Sequence, residues 1–270
     1  MTAFDLTGKV IVITGATGIL GKAFVDGIVT AGGTVVIAGR NEKVALEREK
    51  QVKARGGKAL SVIADVTREE ELNAGCARIL EEFGRIDGLV NAAGGNIKNA
   101  IIQKDMGLFD LDIAALREVM DLNLMGTVLP TQVFGKVIAS NGGGSIVNIS
   151  SMASQRAITR VLGYSLAKSA IDAYTKWFAM ELGNRYGDAV RMNAIAPGFF
   201  LTEQNRELLT KPGGGMTGRG EAVVQHTPFK RFGDPQELTG ALVWLLSDAS
   251  RFVTGTVINV DGGFSIFSGV

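Results

Sequence analysis

The sequence predicts a single α/β domain: a doubly wound parallel sheet of about seven strands with helices on both faces. Two observations predict it. Seven short β-rich runs are apolar on successive residues, as strands buried on both faces require. Longer segments of helical period separate these runs, and regular strand–helix alternation is the pattern of a parallel sheet with right-handed crossovers. The length of 270 residues would allow nearly two domains at about 150 residues each. No second core is needed to account for it, so residues 1–270 are read as one domain.

The strands are expected in order at KVIVIT (9–14), TVVIAG (34–39), ALSVIAD (59–65), DGLVNA (87–92), GSIVNIS (144–150), VRMNAIA (190–196) and TVINV (256–260). Two of the intervening helices carry explicit start signals. Thr67 followed by Glu70 has capping-box spacing, and Asp234-Pro235-Gln236-Glu237 combines a capping Asp, Pro at the first helical position and Glu at the third. One long irregular stretch, about 198–232, contains PGGGMTGRG. In a compact α/β domain such a loop is expected to act as a lid over the site.

Composition excludes several function classes. With 28 basic and 27 acidic residues the net charge is +1 and no long run has one sign, so neither nucleic acid nor a membrane surface is expected as partner. The opening MTAFDLTGKV has no signal-like apolar region, and no uninterrupted apolar stretch approaches the roughly 18 residues a spanning helix needs. A cytoplasmic protein is expected. Cys76 is the single cysteine and His226 the single histidine, which leaves no His/Cys cluster for a metal, and no metal is expected. Cys76 lies within a helical segment and reads as a structural thiol.

Chemistry is carried by two patterns. TGATGILG (14–21) joins the first strand to the first helix, where glycines let the backbone approach a pyrophosphate and the helix N-terminus offers free N–H groups. In YSLAKSAIDAY, a helix places Tyr164 and Lys168 on one face. A cation beside a phenol favours phenolate and so makes proton transfer near neutral pH feasible. Taken alone, a Tyr and a Lys four apart are weak evidence, because many exposed helices show them.

Six motifs in order strengthen that reading: the glycine-rich turn, Asp65-Val66 after the third strand, Asn91-Ala92-Ala93-Gly94 after the fourth, Ser151 after the fifth, Tyr164 with Lys168, and Pro197-Gly198 after the sixth. Together they resemble the short-chain dehydrogenase/reductase family over essentially the whole chain. The resemblance implies a Rossmann-like fold, a nicotinamide dinucleotide cofactor and homotetrameric assembly. It assigns Tyr164 as general acid/base, Lys168 as the cation that lowers its pKa and binds the nicotinamide ribose, and Ser151 as donor to the substrate oxygen. The resemblance also implies that Asn123 completes the catalytic set by holding a water in a proton relay. Gly15, Thr17, Gly18, Ile19, Asp65, Val66, Asn91, Ala92, Ala93 and Gly94 are implied to line the cofactor, and Pro197, Gly198 and Thr202 to grip its carboxamide end. One departure is visible: Ile19 stands where the family usually has glycine, the middle glycine falling one place earlier at Gly18. The turn is expected to differ slightly there without losing the phosphate.

The second strand ends Gly39-Arg40-Asn41, with no carboxylate for ribose hydroxyls and a guanidinium able to clamp a phosphate. NADP(H) is therefore expected over NAD(H), with Arg40 and Asn41 on the adenosine side. For the substrate, GTVLPTQVFGK (126–136), NAIAPGFFLTEQNRELL (193–209), HTPFKRFGDPQEL (226–238) and VDGGFSIFSGV (260–270) resemble a subgroup of D-mannonate oxidoreductases, also called fructuronate reductases. That similarity implies a sugar acid as small-molecule substrate, whose carboxylate calls for a fixed cation. The loop MASQRAITRVLG offers Arg156 and Arg160, the second preferred, while Gln155, Asn96 and Gln204 could contact hydroxyls. The alternatives are a family member acting on gluconate, 5-ketogluconate, a polyol or a 3-oxoacyl group, and a catalytically idle dinucleotide-binding protein. The idle reading would be marked by loss of Ser151, Tyr164 or Lys168, and all three are present.

Overall fold

Each apolar run becomes a strand within two residues of its expected ends: β1 Val10–Thr14, β2 Thr34–Gly39, β3 Ala59–Ile63, β4 Gly88–Asn91, β5 Gly144–Ile149, β6 Val190–Pro197 and β7 Val257–Val260. The computed structural model describes residues 3–103 and 105–269. All neighbouring strands pair in parallel, in the order β3-β2-β1-β4-β5-β6-β7. The order reverses between β1 and β4, and in such sheets the crevice outside the carboxyl ends of the strands at that switch point receives the ligand.

The helices are α1 Ile19–Thr30, α2 Glu42–Ala54, α3 Glu69–Phe83, α4 Ile113–Met120, α5 Gly126–Ser140, α6 Leu162–Tyr186, α7 Glu203–Leu209, α8 Gly218–His226 and α9 Thr239–Leu246. Because side chains alternate across a strand, β1 feeds two cores. Ile11 and Ile13 pack with Phe24 and Ile28 of α1 and Leu242, Leu245 and Leu246 of α9. Val10 and Val12 pack on the opposite face with Leu72 and Ile79 of α3 and Phe134 and Ile138 of α5. Cys76 belongs to this second core, and burial pushes its thiol pKa up, so it is a packing residue there. Among the described residues no helix is long and apolar enough to cross a membrane.

Two local expectations change. Thr67 does not cap α3; its hydroxyl donates to Asp65 Oδ1 at 2.7 Å, and the helix starts after Arg68 without a side-chain cap. The bond to the carboxylate two residues back turns the hydroxyl into a local side-chain turn and away from the helix N–H groups. The stretch 198–232 is not irregular throughout, since it contains α7 and α8, linked by a Thr210–Met216 bridge that closes the PGGG turn. The Asp234 start signal holds as written: its side chain accepts from Gln236 N while Glu237 reaches back to Asp234 N at 2.8 Å.

Candidate active site

One cavity opens at the carboxyl ends of β1, β4, β5 and β6, and its lining includes Gly15, Gly94, Ser151, Tyr164, Lys168 and Pro197. The first wall is the turn between β1 and α1. Gly15 adopts φ 65°, and a Cβ there would lie 2.6 Å from the Ala92 carbonyl oxygen, so only glycine lets the turn close against β4. Thr14 fixes the same junction, its hydroxyl accepting from Ala92 N at 3.1 Å and Ala93 N at 3.2 Å. No side chain caps the first turn of α1 and no acid stands in it. Gly18, Ile19, Leu20 and Gly21 present that bare helix start to the cavity. Free N–H groups and a partial positive charge suit a diphosphate, so the residues present fit a dinucleotide. Ile19 begins α1 after the extended Gly18, and the helix start is intact despite the displaced glycine.

The second wall carries the groups expected from the sequence to handle the proton. α6 delivers Tyr164 and Lys168 to one face, with the Lys168 ammonium 5.4 Å from the Tyr164 ring centre. Lys168 is buried and donates to the Ile149 carbonyl at the end of β5 at 2.7 Å. Burial pulls its pKa down to about 8, opposed by the Asp172 carboxylate one turn along α6. Ser151 follows β5, its Oγ accepting from Ala153 N at 3.1 Å and lying in hydrogen-bond reach of the Tyr164 hydroxyl. The expected fall in the Tyr164 pKa is not what this packing gives. Burial pushes the phenol up, and the Ser151 hydrogen bond opposes that rise.

Asn123 sits in a π-helical turn, Asp121–Met125, that joins α4 to α5. Such turns are rare and recur at functional sites. Its buried amide donates to Gly95 O at 2.8 Å and accepts from Gly95 N at 3.0 Å, clamping the backbone after β4. The third wall is Pro197, Gly198 and Thr202 with Phe199 and Phe200, followed by α7 and α8.

The cofactor residues named from sequence divide by what their side chains do. Thr17 packs beneath Gly39, Asn41 caps α2 through Val44 N at 3.2 Å, and Val66 is buried. The Asn91 side chain points away from the cavity into a buried network with Thr131 Oγ1 and Asn148 Oδ1, both at 2.9 Å. Arg40 is 72% exposed and 3.5 Å from Asp65 Oδ2.

Three of the five substrate candidates are held elsewhere. Arg156 donates through Nε and Nη2 to the Ser265 carbonyl and so anchors the C-terminal segment. Gln155 pairs amide to amide with Asn259 at 2.8 and 2.9 Å. Arg160 donates to Ile102 O at 2.8 Å and Gln103 Oε1 at 2.6 Å, tying two loops together outside the cavity lining. Proximity in sequence to Ser151 and Tyr164 does not fix direction; backbone and side-chain acceptors on segments distant in sequence claim these donors. Asn96 does line the cavity, and the side chain of Gln204 lies outside the described residues. His226 is exposed, with Nδ1 2.8 Å from Ala222 O, and is not part of the lining.

Sequence reasoning missed three residues. Arg219, on α8, lines the cavity. Arg48, on α2, donates to the carbonyls of Ala16 and Gly18 and so stiffens the glycine-rich turn. Asp172 accepts from Ser154 Oγ at 2.6 Å, and Ser154 Oγ also contacts Ser151 O at 2.7 Å. Only the helical spacing of Asp172 from Lys168 was visible in sequence.

A dinucleotide cradle, a hydroxyl pair and a buried ammonium in one cavity are the parts of a hydride-transfer site with its own proton handling. Comparison with known proteins agrees. A family model described as enoyl-(acyl carrier protein) reductase matches residues 15–265. An uncharacterised oxidoreductase of Bacillus subtilis is 39% identical, with 98% of each chain covered. A crystal structure of a proposed D-mannonate oxidoreductase from Haemophilus influenzae, with NAD bound, has a TM-score of 0.90 and 38% identity over 99% of each chain. A gluconate 5-dehydrogenase from Burkholderia cenocepacia, in complex with NADP and tartrate, gives 0.86 and 31% over 97% of each. The chain therefore belongs to the short-chain dehydrogenase/reductase family and is an NAD(P)-dependent oxidoreductase acting on CH–OH groups.

Proposed function

We propose that the protein interconverts the carbonyl and alcohol of a sugar acid of the D-fructuronate/D-mannonate type. The observation that carries this reading is a cavity in which Ser151, Tyr164 and Lys168 share one wall and a guanidinium, Arg219, stands on another. The similarity to the Haemophilus and Burkholderia proteins supports it, because both are named for sugar-acid chemistry.

The nicotinamide, when bound, supplies or accepts the hydride. Everything else falls to this chain. In reduction the Tyr164 hydroxyl gives its proton to the carbonyl oxygen as that oxygen gains negative charge; in oxidation the phenolate takes the proton from the alcohol. Ser151 holds the same oxygen by a hydrogen bond and keeps it against Tyr164. The Lys168 cation stands 5.4 Å from the phenol ring centre, and the hydrogen bond from Ser151 opposes the upward pull of burial on the phenol. Asn123 fixes the Gly95 backbone, and with it the floor of the cavity, and takes part in the relay that returns the proton to solvent. Thr202 and the Pro197-Gly198 segment hold the carboxamide end of the cofactor. The 198–232 segment, with α7 and α8, acts as the lid.

NADP(H) is the preferred cofactor in this reading, supported by an exposed Arg40 and by the absence of an acid at the end of β2. The protein is proposed to be a cytoplasmic homotetramer. The exposed Trp177, Met180 and Tyr186 on α6 support an assembly face, and light scattering on the purified chain tests it. Substrate is tested by following NADPH and NADH oxidation against D-fructuronate, tagaturonate, 5-ketogluconate and an acyl ketone. Highest kcat/KM on the acyl ketone would replace the sugar-acid reading with a 3-oxoacyl reductase.

A further inference from the structure

Arg219 lies 55 positions beyond Tyr164 in sequence, yet both line the same cavity. Its guanidinium is fixed: Nη1 donates to Thr159 Oγ1 at 2.9 Å and Nη2 approaches Thr159 O at 3.3 Å. Both partners are neutral. Among the described residues, neither Arg219 nor Arg160 has a carboxylate oxygen within 4 Å; their hydrogen-bond partners are all neutral. Burial pulls the Arg219 pKa down, and the Arg160 cation pulls it down further. Arg219 is thus bonded to the residue that precedes Arg160, both arginines are partly withdrawn from water, and among the described residues neither has a carboxylate partner.

Holding them there carries a further cost. Arg160 adopts φ 75°, a left-handed conformation unusual for a residue with a side chain. Its carbonyl accepts from Ile102 N at 2.9 Å while its Nε donates back to Ile102 O at 2.8 Å, which locks the strained residue in place. Backbone strain of this kind gathers at functional sites. The acid that does line the cavity, Glu203, is exposed at the start of α7, and its field falls on Arg48 beside the glycine-rich turn. The cavity that Arg219 lines also includes Ile158, Val161, Leu208 and Leu209, and an ion pair is stronger beside apolar side chains than in open water.

We propose that Arg219, with Arg160 behind it, is the anion subsite that takes the substrate carboxylate. The planar fork of a guanidinium matches a carboxylate bidentately, and a bound anion relieves the repulsion between the two cations. Because Arg219 belongs to α8 and Thr159 to the loop before α6, an anion here also ties the lid segment to the catalytic wall. The inference rests on the sugar-acid reading and names the residue on which its specificity depends.

The test compares D-fructuronate with D-fructose, which has a hydroxymethyl group in place of the carboxylate. Both are assayed with wild type, Arg219→Met and Arg219→Lys, alongside melting temperature and cofactor KM. The expected result is that Arg219→Met loses about 30-fold more kcat/KM on D-fructuronate than on D-fructose, mainly through KM, with Arg219→Lys intermediate. If wild type prefers D-fructuronate and both variants keep that preference, the Arg219 subsite is overturned while the sugar-acid reading stands. If wild type shows no preference for the carboxylate, both fall. Should Arg219→Met fail to fold, Arg219→Lys decides through the same ratio.

Discussion

Lys168 donates its ammonium to the carbonyl oxygen of Ile149 at 2.7 Å, so the cation beside Tyr164 is anchored to the end of β5 and not to a carboxylate. A buried ammonium held by one neutral acceptor is destabilised as a charge, which is why its pKa falls to about 8 from the ordinary 10.5. This gives the site a cation that is charged at neutral pH and close enough to its pKa to release a proton.

That burial has a stability consequence with a definite sign. The folded value lies below the unfolded one, so between about pH 8 and 10.5 the unfolded chain binds the extra proton and stability from this group rises with pH. Lys168→Met removes the penalty. Thermal melts of the two proteins should show the variant gaining most relative to wild type at pH 6–7, with the gain shrinking toward pH 10. A pH-independent difference would mean that Lys168 is not held against its charge.

Tyr164→Phe should separate binding from proton transfer. The phenyl ring keeps its place on α6 while the hydroxyl that Ser151 contacts is gone. Turnover is expected to fall about 10²–10⁴-fold, the range of a lost general acid. Fluorescence titration of NADPH should give a Kd within about threefold of wild type, a difference under 1 kcal/mol.

Asp172→Asn should shift the pH profile without emptying the site. Asp172 stands one turn from Lys168, holds its pKa up, and accepts from Ser154 Oγ at 2.6 Å. Removing the charge lets the Lys168 pKa fall further, so the pH–rate limb governed by Lys168 should move to lower pH. Asn retains an acceptor for Ser154, which separates the electrostatic effect from loss of packing. An unmoved limb would leave Asp172 with a structural role alone.

Arg40→Ala tests cofactor choice. Arg40 is largely exposed and its contact with Asp65 is long, so its loss should cost little stability. The KM for NADPH is expected to rise about 10-fold or more, as when a charged hydrogen bond is lost, and that for NADH less than twofold. Equal effects on the two cofactors, or a wild type that already favours NADH, would assign the adenosine side to NAD(H).

Gly15→Ala probes the turn. Its added Cβ would meet the Ala92 carbonyl oxygen at 2.6 Å in a left-handed backbone conformation. Destabilisation of about 1–3 kcal/mol is expected from the strained conformation, with weakened dinucleotide binding measured by titration. Gly18→Ala is the control, because the nearest atom to its Cβ would be Gly15 O at 3.4 Å.

The seven strands, their order of appearance and the glycine-rich turn were legible because each depends on local pattern: apolar runs and turn chemistry along a few residues; Ser151, Tyr164 and Lys168 were singled out by a family resemblance, and the fold brings all three to one cavity. Direction of the long polar side chains was not legible. Arg156, Arg160 and Gln155 sit in the predicted loop, but Ser265, Ile102, Gln103 and Asn259, at least 57 positions away in sequence, decide where they point. The upward shift of Tyr164 and the downward shift of Lys168 likewise come from how much protein surrounds them, a property of packing that spacing does not encode. Arg219 shows the same division. Nothing in GGGMTGRGEAV marks it, and only the folding of α8 across the mouth of the sheet brings that guanidinium to the cavity that holds Tyr164. The sequence by itself determined the scaffold and the shared helix face of Tyr164 and Lys168, since these follow from short-range periodicity. Tertiary structure decided which cation lines the cavity, because that depends on which distant acceptors compete for each long side chain.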